Sequence, residues 1–374
     1  MNAGQRRTAA AAVTGVVAAA VLGELVRPRS GRTEMLDWSE IEALGLRQLK
    51  GSDLSAVELD RLEAHYAALS SRLEDPLLEY LGGLPPGTQL PHFQALDRPA
   101  WLRLNLAVLR RALDPLQSSL SLQRSHLNDL GQYGINRYTA GILAFLAKRV
   151  LGQFDPQLLG REPVQPALYL VETNIAAFER KEDLPGEELR SWIILHELTH
   201  AWQFATNPWL AKHLNTELER VLKMAADRQV GWQRLRALTV GLPRQWEAIR
   251  RLQAIMTLAE GHGNLVMNEL GRRLLPSFER LEKAHAKRSR ERSALEQLFW
   301  RITGLELKLR QYEVGEAFCR RIVERHGVAA LNLAWQSPET MPRPDEFKDP
   351  ERWYRRVVGG RALPAGQPAR PVSP

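Results

Sequence analysis

Two histidines separated by three residues constrain the fold of this chain most, because together they require a helix at that point. The segment His196-Glu197-Leu198-Thr199-His200 places both imidazoles on one face, since helix residues i and i+4 point the same way. Apolar residues flank the segment on both sides, which favours a buried helix. Residues 183–188 carry a cap residue, a proline and acids that predict the helix start, and Asn207-Pro208 predicts its end.

The same five residues have the types and spacing of a zinc hydrolase site. In that pattern the two histidines bind the metal and the glutamate takes a proton from a water molecule. We therefore expect His196 and His200 to be zinc ligands and Glu197 to be the catalytic acid and base. The alternative interpretation is that two core histidines form ordinary hydrogen bonds while Glu197 faces solvent.

A third metal ligand must come from another part of the chain, because catalytic zinc normally has three protein ligands and one position for water. The helix-like segment 258–268 contains two candidates, Glu260 and His262. They lie two residues apart, so a regular helix cannot direct both towards one metal ion. Asn264 lies one turn beyond Glu260, where its amide is placed to hydrogen-bond a ligand histidine.

Matches spread along the chain resemble the second type of zincin-like metallopeptidases, often labelled as associated with deazaflavin coenzyme biosynthesis. The matching residues and stretches are 97–101 with Asn105, 141–146 and 149–155, 168–171 with Asn174, 190–200, Gln203-Phe204, 208–210, Glu260-Gly-His262, Lys308, Gln311-Tyr312, Gly315, Leu331-Asn332, Trp335, Pro338-Glu339 and Trp353. The resemblance extends over about residues 35–358, and it implies one mostly helical zincin-like domain there.

The resemblance also implies a gluzincin-like site, in which the motif histidines and a distal glutamate bind Zn²⁺. By position these ligands are His196, His200 and Glu260, with Glu197 as the catalytic residue. The family usually has an aspartate where this chain has Asn264, and an amide brings no negative charge to the ligand it contacts. His262 and Tyr312 are candidates for a donor that stabilises the oxyanion.

The helical periodicity of the chain predicts a mainly α fold with at most a small β element around residues 167–171. The predicted helices span 55–73, 101–113, 138–151, 189–205, 216–238, 245–275 and 293–323. Residues 359–374 are rich in Pro, Gly and Arg, and we expect a disordered tail. The single cysteine, Cys319, excludes an intramolecular disulfide and a zinc site built on cysteines.

The first 30 residues differ from the rest in composition. Arg6-Arg7 precede an uncharged, alanine-rich run at residues 8–23, and further arginines follow. This pattern is typical of a signal peptide or a short membrane anchor, so we expect a membrane-anchored or exported protein. The alternative is an alanine-rich leader on a cytoplasmic protein.

Two further hypotheses about function concern the partner. A zinc-dependent peptidase acts on a peptide or protein substrate, whereas a zinc-binding scaffold of the same fold has no proteolytic activity.

The basic segment 283–292 suits a solvated helix face better than a nucleic-acid surface, because aromatic residues are absent from it. We therefore expect no nucleic-acid partner. The oligomeric state is not predicted.

Overall fold

The computed structural model describes residues 32–33, 36–49, 51, 53–120, 122–123, 126–158, 165–226, 242–290 and 306–359. Twelve α-helices occur in this part, and they confirm the predicted mainly α fold. The helices are α1 (Trp38–Arg47), α2 (Ala56–Leu81), α3 (Arg98–Leu120), α4 (His126–Ala147), α5 (Glu172–Glu182), α6 (Gly186–Thr206), α7 (Trp209–Ala226), α8 (Leu242–Leu274), α9 (Phe278–Arg290), α10 (Glu306–His326), α11 (Val328–Asn332) and α12 (Pro350–Val358). The strands are β1 (Arg32–Thr33), β2 (Phe93–Leu96), β3 (Leu122–Gln123), β4 (Gly152–Asp155) and β5 (Ala167–Val171).

A three-stranded sheet forms the small β element, with strand order β2-β5-β4. The predicted strand at residues 167–171 is its central strand, and all five of its residues are buried. Strand β2 pairs with it in parallel and β4 pairs with it in antiparallel orientation. Strand β4 therefore lies at an edge of this sheet. Strands β1 and β3 form a separate antiparallel pair of two residues each.

The helix that carries the histidine motif, α6, is buried along most of its length. Twelve of its residues between Leu189 and Gln203 are buried. A helix that is buried on several faces needs a partner on each of them, and α6 packs against α2, α8, strand β4 and helix α5. The motif therefore lies in the main hydrophobic core. A second, smaller core lies between α1, α3 and α4 and contains Ile41, Leu102 and Ala144.

A buried ionic network fixes the first turns of α6. The guanidinium of Arg190 donates to both carboxylate oxygens of Glu172 and, over 2.8 Å, to the carboxylate of Glu179, so it connects α6 to α5. The hydroxyl of Tyr66 in α2 donates to Glu172 over 2.5 Å. Because removal of one partner would leave a buried charge uncompensated, the network holds the three helices in a fixed arrangement.

Two glycines allow α8 and α10 to cross at close range. A Cβ atom on Gly315 would lie 2.0 Å from the carbonyl oxygen of Thr257, and one on Gly261 would lie 2.1 Å from the carbonyl carbon of Gly315. Both atoms belong to the backbone, so no side-chain rotation could relieve the clash. The crossing therefore requires glycine at both positions, and it sets the position of the α8 segment that contains Glu260.

Several sequence predictions are corrected or lie outside the described residues. The helix predicted at 138–151 ends at Ala147, and residues 152–155 form strand β4 instead. Asp183 ends α5 in a left-handed conformation (φ 50°) and does not cap α6. The leader (residues 1–30, with the apolar run 8–23) and residues 360–374 lie outside the described part. Among the described helices, none has both the length and the apolar character needed to cross a membrane.

We predict that Gly315→Ala lowers the free energy of unfolding by about 1–3 kcal/mol, because the added methyl group overlaps the backbone of α8. Gly141→Ala on α4 is the matched control, since a Cβ there meets no atom within 4 Å. The control should raise stability by up to about 1 kcal/mol through helix propensity. Denaturant unfolding of the three proteins measures both effects. An equal gain in stability for both variants would contradict the close crossing.

Candidate metal centre

Helices α6 and α8 bring three potential metal ligands together. The Nε2 atoms of His196 and His200 lie 3.1 Å apart. A carboxylate oxygen of Glu260 lies 3.5 Å from Nε2 of His196 and 3.8 Å from Nε2 of His200. The three side chains are only 12–17% exposed. Two imidazole nitrogens and one carboxylate oxygen are the donor set that Zn²⁺ accepts in catalytic sites, so these residues fit a zinc ion.

A glutamine in the next turn of α6 determines which nitrogen of His200 is available to a metal. The amide nitrogen of Gln203 donates to the carbonyl oxygen of Ala259 over 3.2 Å, and a carbonyl can only accept. Its amide oxygen is therefore the atom that lies 3.1 Å from Nδ1 of His200. Nδ1 must carry a hydrogen to form this bond, so Nε2 has a free lone pair for a metal.

His196, the other motif histidine, is held in place by packing and not by a hydrogen bond to Nδ1. Among the described residues, Nδ1 of His196 is buried and has no hydrogen-bond partner. The backbone of Gly263 in α8 packs against both rings, and a Cβ there would lie 3.0 Å from Cε1 of His196 and 3.3 Å from Cε1 of His200. Glycine at 263 therefore lets α8 approach close enough for Glu260 to reach the imidazoles.

Glu197 lies between the motif helix and strand β4. Its side chain is buried, with 6% of the residue exposed, and the nearby backbone of Phe154 acts to lower the pKa of its carboxyl group. A Cβ on Gly152 would lie 2.6 Å from Oε1 of Glu197, so the carboxylate fits only against a glycine. Burial raises the pKa of Glu197, although the two neighbouring imidazoles act in the opposite direction. The alternative in which Glu197 faces solvent is therefore wrong.

The two carboxylates give this cluster a preference for positive charge. Burial disfavours protonation of His200, but the carboxylates of Glu260 and Glu197, together with the hydrogen bond to Gln203, outweigh it and raise the pKa of His200 to about 9. A divalent cation bound by the same side chains would also be attracted by both carboxylates.

The structure separates the remaining candidate residues from this cluster. His262 is fully buried and contributes no atom to the group of His196, His200 and Glu260. Its Nδ1 accepts from the amide nitrogen of Gln203 over 3.1 Å, and burial lowers the pKa of His262 to about 3. It is therefore a neutral neighbour of Gln203 that substrate cannot reach, and it is neither the third ligand nor an oxyanion donor.

The structure tests the predicted role of Asn264 but not that of Tyr312. Within the described part of the chain, Asn264 forms no hydrogen bond with either motif histidine, because Nδ1 of His196 has no partner and Nδ1 of His200 faces Gln203. The expected role of Asn264 thus belongs to Gln203. Tyr312 lies in helix α10, but its side chain lies outside the described residues, so its role as an oxyanion donor stays a prediction.

Sequence reasoning missed two residues of the site, Gln203 and Gly152. Gln203 carried a usable signal, since it lies one turn beyond His200 in an otherwise apolar stretch, Ala201-Trp-Gln-Phe-Ala205. A buried amide in such a helix needs specific partners. Gly152 gave no signal of its own, because its contact with Glu197 depends on how strand β4 pairs with β5.

Comparison with known proteins gives two matches. A family model described as zincin-like metallopeptidase matches residues 36–354. The chain is also similar to a protein from Chloroflexus aurantiacus, whose crystal structure is described as that of a candidate hydrolase with a novel fold. The two chains are 34% identical, with a TM-score of 0.66, and the match covers 86% of this chain and 98% of the other. A search of curated proteins finds no match. Because the family model spans most of the chain, the protein belongs to the zincin-like metallopeptidase family.

Proposed function

We propose that this protein is a zinc-dependent peptidase. The observation that carries the proposal is the convergence of His196, His200 and Glu260 within 4 Å of one another, with the buried carboxylate of Glu197 beside them. Membership of the family and the similarity to a candidate hydrolase support a zinc hydrolase. Cleavage of peptide bonds is the finer part of the proposal, and the arrangement of strand β4 supports it.

The ligand set would hold zinc through Nε2 of both histidines and a carboxylate oxygen of Glu260. Bound zinc supplies Lewis acidity, which lowers the pKa of water and polarises a carbonyl group. The protein contributes the orientation of the ligands, because Gln203 keeps the proton of His200 on Nδ1. The apolar surroundings of α6 limit the access of bulk water.

Glu197 moves the proton in this mechanism. Its carboxylate accepts a proton from the attacking water and then gives it to the nitrogen of the leaving amine. Burial raises its pKa, so it is a stronger base than an exposed glutamate. The close backbone of Gly152 keeps the carboxylate of Glu197 in one orientation during both transfers.

The free edge of strand β4 supports a peptide as substrate. The N–H of Val171 donates to the carbonyl oxygen of Leu151, so hydrogen bonds to β5 fall on alternate residues of β4. The backbone N–H and C=O groups of Gly152 and Phe154 therefore face away from β5, at the edge of the sheet, and Glu197 lies against Gly152. An extended peptide could pair with this edge through its own backbone, and that pairing would carry a peptide bond past the catalytic carboxylate.

We expect the purified protein to bind about one zinc ion per chain, and Glu260→Gln to weaken zinc binding by at least about 100-fold, because the amide removes one ligand charge. Glu269→Gln, on the same helix and outside the cluster, is the matched control. Metal analysis and competition with a chromophoric chelator measure both values. Unchanged affinity in Glu260→Gln would remove Glu260 from the ligand set.

Glu197→Gln should retain zinc and lose peptide hydrolysis by about 100-fold to 10,000-fold, because an amide cannot accept the proton. Glu187→Gln is the control, since Glu187 is on the same helix and 66% exposed. Digestion of a peptide library with added zinc, with and without a chelator, supplies the activity readout.

Two results of this experiment would contradict the proposed peptidase function. Cleavage by Glu197→Gln at the parent rate would show that another group moves the proton. Tight zinc binding without any cleavage by the parent protein would favour the alternative, a zinc-binding scaffold without proteolytic activity.

Gln203→Met should weaken zinc binding by about 10-fold to 100-fold, because His200 loses the acceptor that fixes its tautomer. Asn264→Ala should leave the zinc affinity nearly unchanged, since Asn264 bonds neither motif histidine. Chelator competition below the melting temperature of each variant compares them. A larger loss of zinc affinity in Asn264→Ala than in Gln203→Met would contradict the role of Gln203 as the residue that orients His200.

A further inference from the structure

Two aromatic side chains lie next to the candidate metal centre. Phe204 follows His200 by one turn of α6, so the two side chains leave the helix on the same face. The ring centre of Phe204 lies 5.1 Å from that of Phe154 in strand β4. Phe154 lies two residues beyond Gly152, the residue against which the carboxylate of Glu197 packs. Both rings are only partly buried, so each retains surface that another apolar group could cover.

The directions of α6 and α8 show which other residues lie on this side of the centre. A Cβ on Gly271 would lie 3.1 Å from the ring of Trp192, near the start of α6. The carbonyl oxygen of Ala259 accepts from the side chain of Gln203, near the end of α6. Residue numbers therefore fall along α8 in the direction in which they rise along α6. A residue one turn before Glu260 thus lies on the same side of the centre as a residue one turn after the histidine motif.

The residue of α8 in that position is Met256. It precedes Glu260 by one turn and therefore shares its helix face. Met256 is 37% exposed, and a methionine side chain is flexible enough to pack against apolar groups of different shapes. Phe154, Phe204 and Met256 thus provide accessible apolar surface from three elements on one side of the candidate metal centre. We refer to these three residues as the apolar wall.

We propose that the apolar wall binds a large apolar side chain of the substrate next to the scissile bond. The inference rests on the proposed peptidase function and gives it a substrate class, namely peptides with a large apolar residue at the cleavage position. A peptide paired with β4 directs alternate side chains to the face of the sheet that carries the ring of Phe154. Neighbouring side chains on one face of paired strands lie about 5 Å apart. Contact with the wall would remove apolar surface of both partners from water, which favours binding.

Hydroxamates test this subsite without turnover, because the hydroxamate group binds zinc through two oxygen atoms and places the adjoining side chain beside the metal ligands. Leucine and asparagine have side chains of similar shape, but only that of leucine is apolar. Two probe pairs cover the two sides of the scissile bond: N-acetyl-leucine hydroxamate against N-acetyl-asparagine hydroxamate, and the malonyl hydroxamate of leucine amide against that of asparagine amide. Calorimetry on the zinc-loaded protein measures their binding. The peptide N-acetyl-Ala-Ala-Leu-Ala-Ala-amide and its asparagine counterpart are then compared as substrates.

We expect the leucine member of one pair to bind about 10-fold or more tightly than its asparagine counterpart. Met256→Lys should abolish that preference, and the corresponding aspartate probe should bind this variant more tightly than the parent, because the new ammonium group attracts a carboxylate. Leu274→Lys is the matched control, since Leu274 is on the same helix and 39% exposed but lies about 21 Å from Glu260 along the helix axis. Phe204→Ala should also reduce the preference. Thermal melting shows whether each variant is folded.

Three outcomes would overturn the inference: equal binding, or no binding, of both members in both pairs; a leucine preference that survives in Met256→Lys; or an equal loss of that preference in Leu274→Lys. A leucine preference that is lost in Met256→Lys but not in Leu274→Lys, in a parent protein that cleaves neither peptide, would support the subsite and refute the peptidase. Cleavage of both peptides at equal rates, without a leucine preference among the hydroxamates, would support the peptidase and refute the subsite.

Discussion

The contact between α6 and α8 determines almost everything else about this protein. Glu260 can reach two imidazoles on another helix only if the two backbones approach closely. Three glycines permit this: Gly263 lies directly against the imidazoles, and Gly261 and Gly315 let α10 press against the far side of α8. Glu260, the candidate third ligand, is thus positioned by main-chain packing. The buried ion pair of Arg190 and Glu172 fixes the position of the start of α6.

The surroundings of the two motif histidines are unequal. His200 is oriented by a chain of hydrogen bonds that runs through Gln203 to Ala259 and His262. His196 is held by contacts with Gly263 and has no hydrogen bond to Nδ1 from any described residue. A hydrogen-bonded ligand has a fixed tautomer, whereas a packed ligand has only a fixed ring position. His200 is therefore the better defined of the two candidate ligands.

Local sequence patterns predicted the motif helix, the α8 segment and the central strand at residues 167–171, because each has a strong periodicity or a diagnostic spacing. They also predicted that His196, His200 and Glu197 act together, since a helix fixes their relative directions. The choice of Glu260 over His262 needed the family resemblance, because spacing within one helix cannot say which face meets a distant partner. Strand β4 and the roles of Gly152 and Gln203 depend on tertiary contacts that no local pattern records.

The position of Glu197 against strand β4 has a consequence for how copies of the protein behave towards one another. An unpaired sheet edge can recruit a strand from another molecule and so start aggregation. Here the edge strand has only four residues, and the carboxylate of Glu197 lies against its first residue, Gly152. The carboxylate of Glu197 therefore limits the stretch on which a strand of a second copy could assemble.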